Sequence, residues 1–299
     1  MPQYFRKDET GMKNDLLNQI QRRIASMSKG QRAIGNYILN SYDKAAFMTA
    51  AKLGATVGVS ESTVVRFATI LGYEGYPELQ DSLQELIRSK LTAVQRIEIT
   101  NDRLGDDDVL RRVLNSDIEK VKTTLDEIDR EDFRRAVSTI VGAKEIYIIG
   151  MRSSAALANF LWYYFRLMFP SVHLVQTTSG SEIFEQMLRI GEGDAVIAAS
   201  FPRYSKRIIN AVDFAKAQGA SVIALTDSPA SPIAVNADCI LTAKSDMLSF
   251  VDSLVAPMSI INALIVAIAR EKNRELEKTF ARLEEIWDEY EVYDKDNQK

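Results

Sequence analysis

Five short apolar runs recur between residues 145 and 243, with stretches of helical spacing between and after them, and this alternation most limits what the chain can fold into. The runs are EIYIIG (145–150), VHLVQ (172–176), DAVIAAS (194–200), SVIALT (221–226) and DCILTA (238–243). Helical spacing fills 154–169, 181–189, 205–218 and 250–271. A strand apolar on both faces leaves no side for water, so the sheet is expected to be parallel with helices on both faces. Right-handed crossovers then predict a doubly wound α/β/α sandwich.

The first third has a different rhythm. Leu16, Leu17, Ile20 and Ile24 share one helical face. Ser28, Thr49 and Ser60 each precede a helical pattern as N-cap candidates. Pro77 opens a further amphipathic helix over 76–89. We therefore divide the chain into an all-α domain (1–95), a linker and connecting helix (96–130) and an α/β domain (131–299).

The whole chain carries a formal net charge of −4, which alone argues against nucleic acid. Its distribution says otherwise. Residues 1–95 hold 12 Lys+Arg against 9 Asp+Glu, a net of +3, and the acid excess lies further on. The positive part is where a phosphate backbone would want it. One cysteine, Cys239, and one histidine, His173, exclude a zinc finger or Cys/His metal cluster, and no cofactor is expected. A lone cysteine fits a reducing cytoplasm. The N-terminus lacks the apolar core of a signal peptide. The most apolar stretch, 255–269, is shorter than the ~18 residues a membrane span needs. No membrane association is expected.

The sharpest local signal is TAAKLGATVGVSESTVVRFATILGYEG (49–75). A short helix, a tight turn at Gly58 and a second helix from Ser60 make a helix-turn-helix. In the second helix Val64, Phe67, Ala68 and Leu71 form one buried stripe. Ser62, Arg66 and Thr69 face the other way, with Thr63 beside them. Short polar groups in the first turn suit phosphates and base edges, and Arg66 suits a guanine or a phosphate. A small helical bundle with a solvated polar face fits the same spacing.

The run VSESTVVRFATILGYEGYPEL (59–79) resembles the RpiR/MurR-type bacterial transcriptional regulators. That resemblance implies binding to a double-stranded DNA operator, as a repressor more often than an activator. It puts Ser60, Ser62, Thr63 and Arg66 in the recognition helix, with Lys52 as a phosphate contact. Gly54 departs from the family pattern in the preceding helix, where glycine costs about 0.5–1 kcal/mol relative to alanine.

In the α/β part, Arg152, Ser153 and Ser154 sit where a strand gives way to a helix N-terminus, a ready anion site at the carboxyl end of a strand. Ser200, Arg203, Ser205, Lys206 and Arg207 occupy a second such turn. A third loop, 177–182, offers Ser179 and ends in Glu182, a carboxylate suited to sugar hydroxyls. This half resembles the SIS phosphosugar-binding domain. The resemblance implies a phosphosugar effector, with Ser153 and Ser154 in the first phosphate loop and Ser200 and Ser205 at the ends of the second. Pro202 stands where that loop usually has serine and Arg203 where it has glycine, so an altered phosphate nest is expected.

The competing reading is a sugar-phosphate isomerase whose helical N-terminal part does not bind DNA. That chemistry needs a base and often a histidine. His173 lies between Val172 and Leu174 in an apparent strand and reads as a core or edge residue. Glu182 is the only carboxylate near the predicted cradle. The expectation is therefore a regulator without catalysis. It is a homodimer or homotetramer, because such heads meet two half-sites. The helix over 250–271 and the tail over 275–290 offer apolar stripes for the subunit contact.

Overall fold

A computed structural model of the chain describes residues 15–90, 108–176, 179, 181–246 and 251–293. The expected linker residues 96–107, and Thr177, Thr178, Gly180 and Phe250, lie outside them. The chain divides into two compact units, Met1–Thr92 and Ala93–Lys299.

The first unit is all-helical. Its elements are α1 (Asp15–Arg23), α2 (Lys29–Ala45), α3 (Ala50–Val57), α4 (Glu61–Leu71) and α5 (Tyr76–Lys90), with one 3-10 turn at Ile24–Ser26. Ser28 closes a capping box with Gln31 at the start of α2. Thr49 caps α3 by accepting from the Lys52 amide at 3.2 Å. The core is built from Ile20, Ile34, Ile38, Leu53, Val64, Phe67, Leu79 and Leu83, all fully buried.

The second unit opens with α6 (Val109–Glu127) and α7 (Arg130–Gly142). Then follow β1 (Ile146–Gly150), α8 (Ser154–Met168), β2 (Val172–Val175), α9 (Glu182–Gln186), β3 (Ala195–Ala199), α10 (Lys206–Ala217), β4 (Ser221–Thr226) and β5 (Cys239–Thr242). Two helices close it, α11 (Val255–Glu271) and α12 (Asn273–Glu289). All pairings are parallel, in the order β2-β1-β3-β4-β5.

Alternate residues of each strand feed opposite cores. Ile146 and Ile148 of β1 join Ile197 of β3 and Ile223 of β4 beneath α7, α8 and α11. Tyr147, Ile149, Val196 and Val222 point to the other face, under α9 and α10. This is the doubly wound α/β/α sandwich that the apolar runs predict.

The connecting helix expected within 96–130 is α6. Helix α6 is part of the second unit. Lys120 and Thr124 are buried on it. The Lys244 amide donates to the Thr124 hydroxyl at 2.9 Å, and the Ser253 hydroxyl donates to Asp117 at 2.7 Å. These polar contacts tie α6 to the chain around β5 and α11. No helix among the described residues is long and apolar enough to cross a membrane.

Candidate DNA-reading head and anion cradle

In the helical unit, the turn between α3 and α4 is set by two glycines. Gly58 takes the left-handed conformation (φ 79°), which glycine reaches without strain. Gly54 faces the turn so closely that a Cβ there would lie 2.8 Å from the Val59 carbonyl oxygen. Its departure from the family pattern thus has a packing reason: the turn closes onto bare backbone.

Helix α4 buries the expected stripe, with Val64, Phe67 and Ala68 fully enclosed. Ser60 holds the N-cap backbone conformation, yet its hydroxyl does not cap a backbone amide. It bonds the Ser62 hydroxyl at 3.0 Å and the Thr63 hydroxyl at 2.8 Å. Three hydroxyls therefore cluster over the first turn. Arg66 and Lys52 are exposed. Val65, an exposed apolar residue on α4, was not singled out from sequence.

Neighbouring helices hold α4 in place. Gln19 and Arg23 of α1 donate to the carbonyls of Leu71 and Ile70 at 2.9 and 2.5 Å, satisfying acceptors at the end of α4. The buried Tyr76 hydroxyl donates to the Met48 carbonyl at 2.8 Å, and burial pushes its pKa up to about 12. Gln80 and Gln84 donate to the carbonyls of Met48 and Ala46.

In the α/β unit, the carboxyl ends of β1 and β3 bring two turns together. Gly150 ends β1 where a Cβ would meet the Ser154 carbonyl oxygen and Ala158 of α8. Arg152 follows with φ 57°, and Arg203 in the second turn has φ 65°. The second turn thus holds a left-handed residue that is not glycine. The left-handed Arg152 precedes a right-handed Ser153, an alternation from which anion-binding nests are built, and the Ser154 amide that follows donates to the Met151 carbonyl at 3.2 Å.

Of the nine predicted effector residues, Arg152, Ser153, Ser154, Ser200, Arg203 and Ser205 line one cavity of about 340 Å³. Ser154 and Ser200 are buried, and Arg152 and Arg203 bring positive charge. Ser205 does not cap α10; its hydroxyl reaches across to the Met151 sulfur at 3.7 Å, linking the two turns. Ser179, Glu182 and Lys206 do not line this cavity. Ser179 bonds the Ser181 hydroxyl at 3.1 Å, while Glu182 and Lys206 are exposed at the starts of α9 and α10. Both helix starts follow loops whose spacing alone does not reveal which way the side chains turn.

Other residues enter that sequence reading missed. Gln176 joins Arg207 of the second turn in an adjoining cavity of about 620 Å³, which shares Met151, Arg152 and Ser205 with the first. Asp252 lines the 340 Å³ cavity. The Tyr204 hydroxyl donates to Asp227 at 2.8 Å, anchoring the second turn to the end of β4. A Tyr within the turn was the only sequence signal for this anchor.

His173 lies elsewhere. Its Nε2 meets the Glu145 carboxylate at 2.5 Å and the Ser171 hydroxyl at 3.2 Å, and its ring stacks on Tyr147. Glu145 and Ser171 precede β1 and β2, so this cluster sits at the amino ends of the strands, opposite the cradle. Hydrogen bonds from Ser171 and His173 hold the Glu145 carboxyl below its usual range.

A helix-turn-helix head joined to a parallel α/β sandwich with a polar cradle at its strand ends defines a DNA-binding transcriptional regulator with a sugar-isomerase-type second domain. Residues 14–90 match the helix-turn-helix domain of the rpiR family, and residues 139–267 match the SIS domain. The chain thus carries an rpiR-family helix-turn-helix domain followed by a SIS domain, as RpiR-type regulators do. Among its relatives is the HTH-type transcriptional regulator HexR of Pseudomonas aeruginosa, 25% identical over 92% of this chain and 95% of that protein. HexR of Escherichia coli is 26% identical over 91% of this chain and 93% of that protein. The sugar isomerase domain of an RpiR transcription factor from Sphaerobacter thermophilus superposes with a TM-score of 0.57 at 27% identity, covering 60% of this chain and 99% of that one. The Vibrio vulnificus NanR protein, solved with ManNAc-6P, shares the fold with a TM-score of 0.57 at 21% identity, covering 91% of this chain and 97% of that one.

Proposed function

We propose that this regulator is a cytoplasmic repressor that reads its operator with α4 and senses an anionic sugar, a phosphosugar by preference, in the cradle between β1 and β3. Ser60, Ser62 and Thr63 meet phosphates and base edges, Arg66 reads a base, and Lys52 of α3 holds the backbone. In the cradle, Arg152 and Arg203 neutralise the anion. Ser153, Ser154, Ser200 and Ser205 supply hydroxyl donors.

The observation that carries the reading is the convergence of six predicted residues on one 340 Å³ cavity. The NanR structure, which holds a phosphosugar on the same fold, supports that ligand class. The protein works as a homodimer or homotetramer, since two heads must meet two half-sites. The effector acts by binding one arrangement of the heads better than the other. No catalysis is assigned, because the sole histidine lies at the opposite ends of the strands from the cradle.

The test is a gel shift on the DNA upstream of the protein's own gene, repeated across a panel of sugar phosphates. A complex that one sugar phosphate releases is the expected result. Absence of any complex sinks the DNA reading, and turnover of a sugar phosphate by the pure protein revives the isomerase.

A further inference from the structure

Helix α6 carries an apolar stripe that is exposed among the described residues. Lys120 and Thr124 mark its buried face. Beside that face, Leu110, Leu114, Ile118 and Leu125 are 68%, 53%, 51% and 63% exposed. With the partly buried Val121 they recur every three or four residues, so they form one continuous row. Soluble surfaces seldom keep such a row wet without a partner.

The two ends of the row differ in shape. At the N-terminal end Leu110 and Leu114 stand proud. At the C-terminal end the helix borders a groove of about 680 Å³, lined by Val121, Leu125, Ile128, Phe133, Ala256 and Ile260. Knob and hole thus lie on one helix, about equally far from Ile118. Charge follows the same pattern: Arg111 flanks the first end and Asp126 the second, on the same side of the row and both exposed. Arg130 and Arg134 edge the groove, and Arg134 is already paired with Glu131 at 2.6 Å.

We infer that α6 is a dimer surface whose occupant is α6 of a second copy, packed antiparallel about a two-fold axis at Ile118. This pairing puts Leu110 and Leu114 of each copy into the groove of the other and sets Arg111 opposite the second copy's Asp126. An isologous contact requires such self-complementarity. Antiparallel dipoles add to it. The contact takes in Ala256 and Ile260 of α11, a helix that sequence alone favoured, and centres on α6 rather than on α12. The inference rests on the oligomer reading above and names its surface.

Three cysteine variants of the full chain test it, since the native Cys239 is buried and does not compete. Ile118→Cys should cross-link to its own copy under mild oxidation. Leu110→Cys alone should not, because the two positions would be about 24 Å apart along the helices, beyond disulfide reach. Leu110→Cys with Leu125→Cys should cross-link again. Arg111→Glu should weaken the dimer about tenfold, and adding Asp126→Arg should restore it. These sites are exposed, so circular dichroism should report an intact fold. A dimer that fails to cross-link at Ile118→Cys, or one that cross-links through Leu110→Cys alone, overturns this surface and leaves the oligomer reading standing. A monomer in sedimentation overturns both.

Discussion

Arg152 and Arg203 both take the left-handed backbone conformation, φ 57° and 65°, and both line the same cavity from turns that follow neighbouring strands. A non-glycine residue there costs about 1–2 kcal/mol. Such strain clusters where a site over-determines the backbone. For Arg203 the side chain adds charge while the backbone keeps the shape that glycine usually supplies.

Arg203→Gly should separate these two contributions. It relieves the strain but adds about 0.4–1 kcal/mol of unfolded-chain entropy, so stability should stay level or rise by up to about 1.6 kcal/mol. Phosphosugar affinity should fall by about 10-fold or more, because a charge-assisted hydrogen bond of roughly 1.5–3 kcal/mol is lost. Arg203→Ala should lose the same affinity with no gain in melting temperature. Calorimetric titration and thermal unfolding read both effects. Unchanged affinity in both variants would remove Arg203 from the site.

Gly54→Ala sets local propensity against packing. Helix propensity alone forecasts a gain of about 0.5–1 kcal/mol. The added Cβ would instead sit 2.8 Å from the Val59 carbonyl oxygen, a backbone atom that cannot step aside cheaply. We expect destabilisation of about 1–3 kcal/mol, the usual cost of overpacking, read as a lower urea midpoint. A higher midpoint would mean that the α3–α4 turn is looser than described.

On DNA, the two exposed cations should behave differently. Arg66→Ala should cost about 1–3 kcal/mol at one base position and relax specificity there. Arg66→Lys should fail to restore it if the contact is bidentate. Lys52→Ala should weaken all sequences alike and lower the salt slope by about 1. Fluorescence anisotropy on a panel of single-base operator variants distinguishes these outcomes. Equal losses across the whole panel for Arg66→Ala would make Arg66 a phosphate contact.

Much of this was legible in the sequence because the relevant physics is local. Strands buried on both faces must read as unbroken apolar runs, and β1, β3 and β4 do. The stripe of Val64, Phe67, Ala68 and Leu71 follows from helical spacing alone. What was hidden depends on contacts distant in sequence. Gly54 looks like a weak helix residue until the turn folds back on it. Arg203 looks like a lost glycine, because residue statistics do not say when a site will hold a strained backbone. Helix α6 was legible as a connecting helix but its attachment to the second unit was not, since the partners of Asp117 and Thr124 lie more than a hundred residues later. Ser179, Glu182 and Lys206 were placed by proximity to the loops, which fixes position along the chain but not direction.

The long family run ending in GYPEL mixes two roles, and Tyr76 tests the structural one. Its phenol is buried against the Met48 carbonyl, which favours the protonated form and raises the pKa from its ordinary value of 10 to about 12. A neutral acid stabilised in this way contributes fully below pH ~10, and that contribution is lost as pH rises from there through 12. In an alkaline absorbance titration of the folded protein, Tyr76 should therefore titrate late, as should Tyr147, whose pKa burial also raises, and Tyr76→Phe should remove one late step and leave the other. The variant should lose about 0.5–1.5 kcal/mol of stability at neutral pH. It should still bind DNA with wild-type salt dependence, because Tyr76 buttresses the head without facing the duplex. If every tyrosine titrates near 10 while circular dichroism shows the helices intact, the buried hydrogen bond to Met48 is not formed.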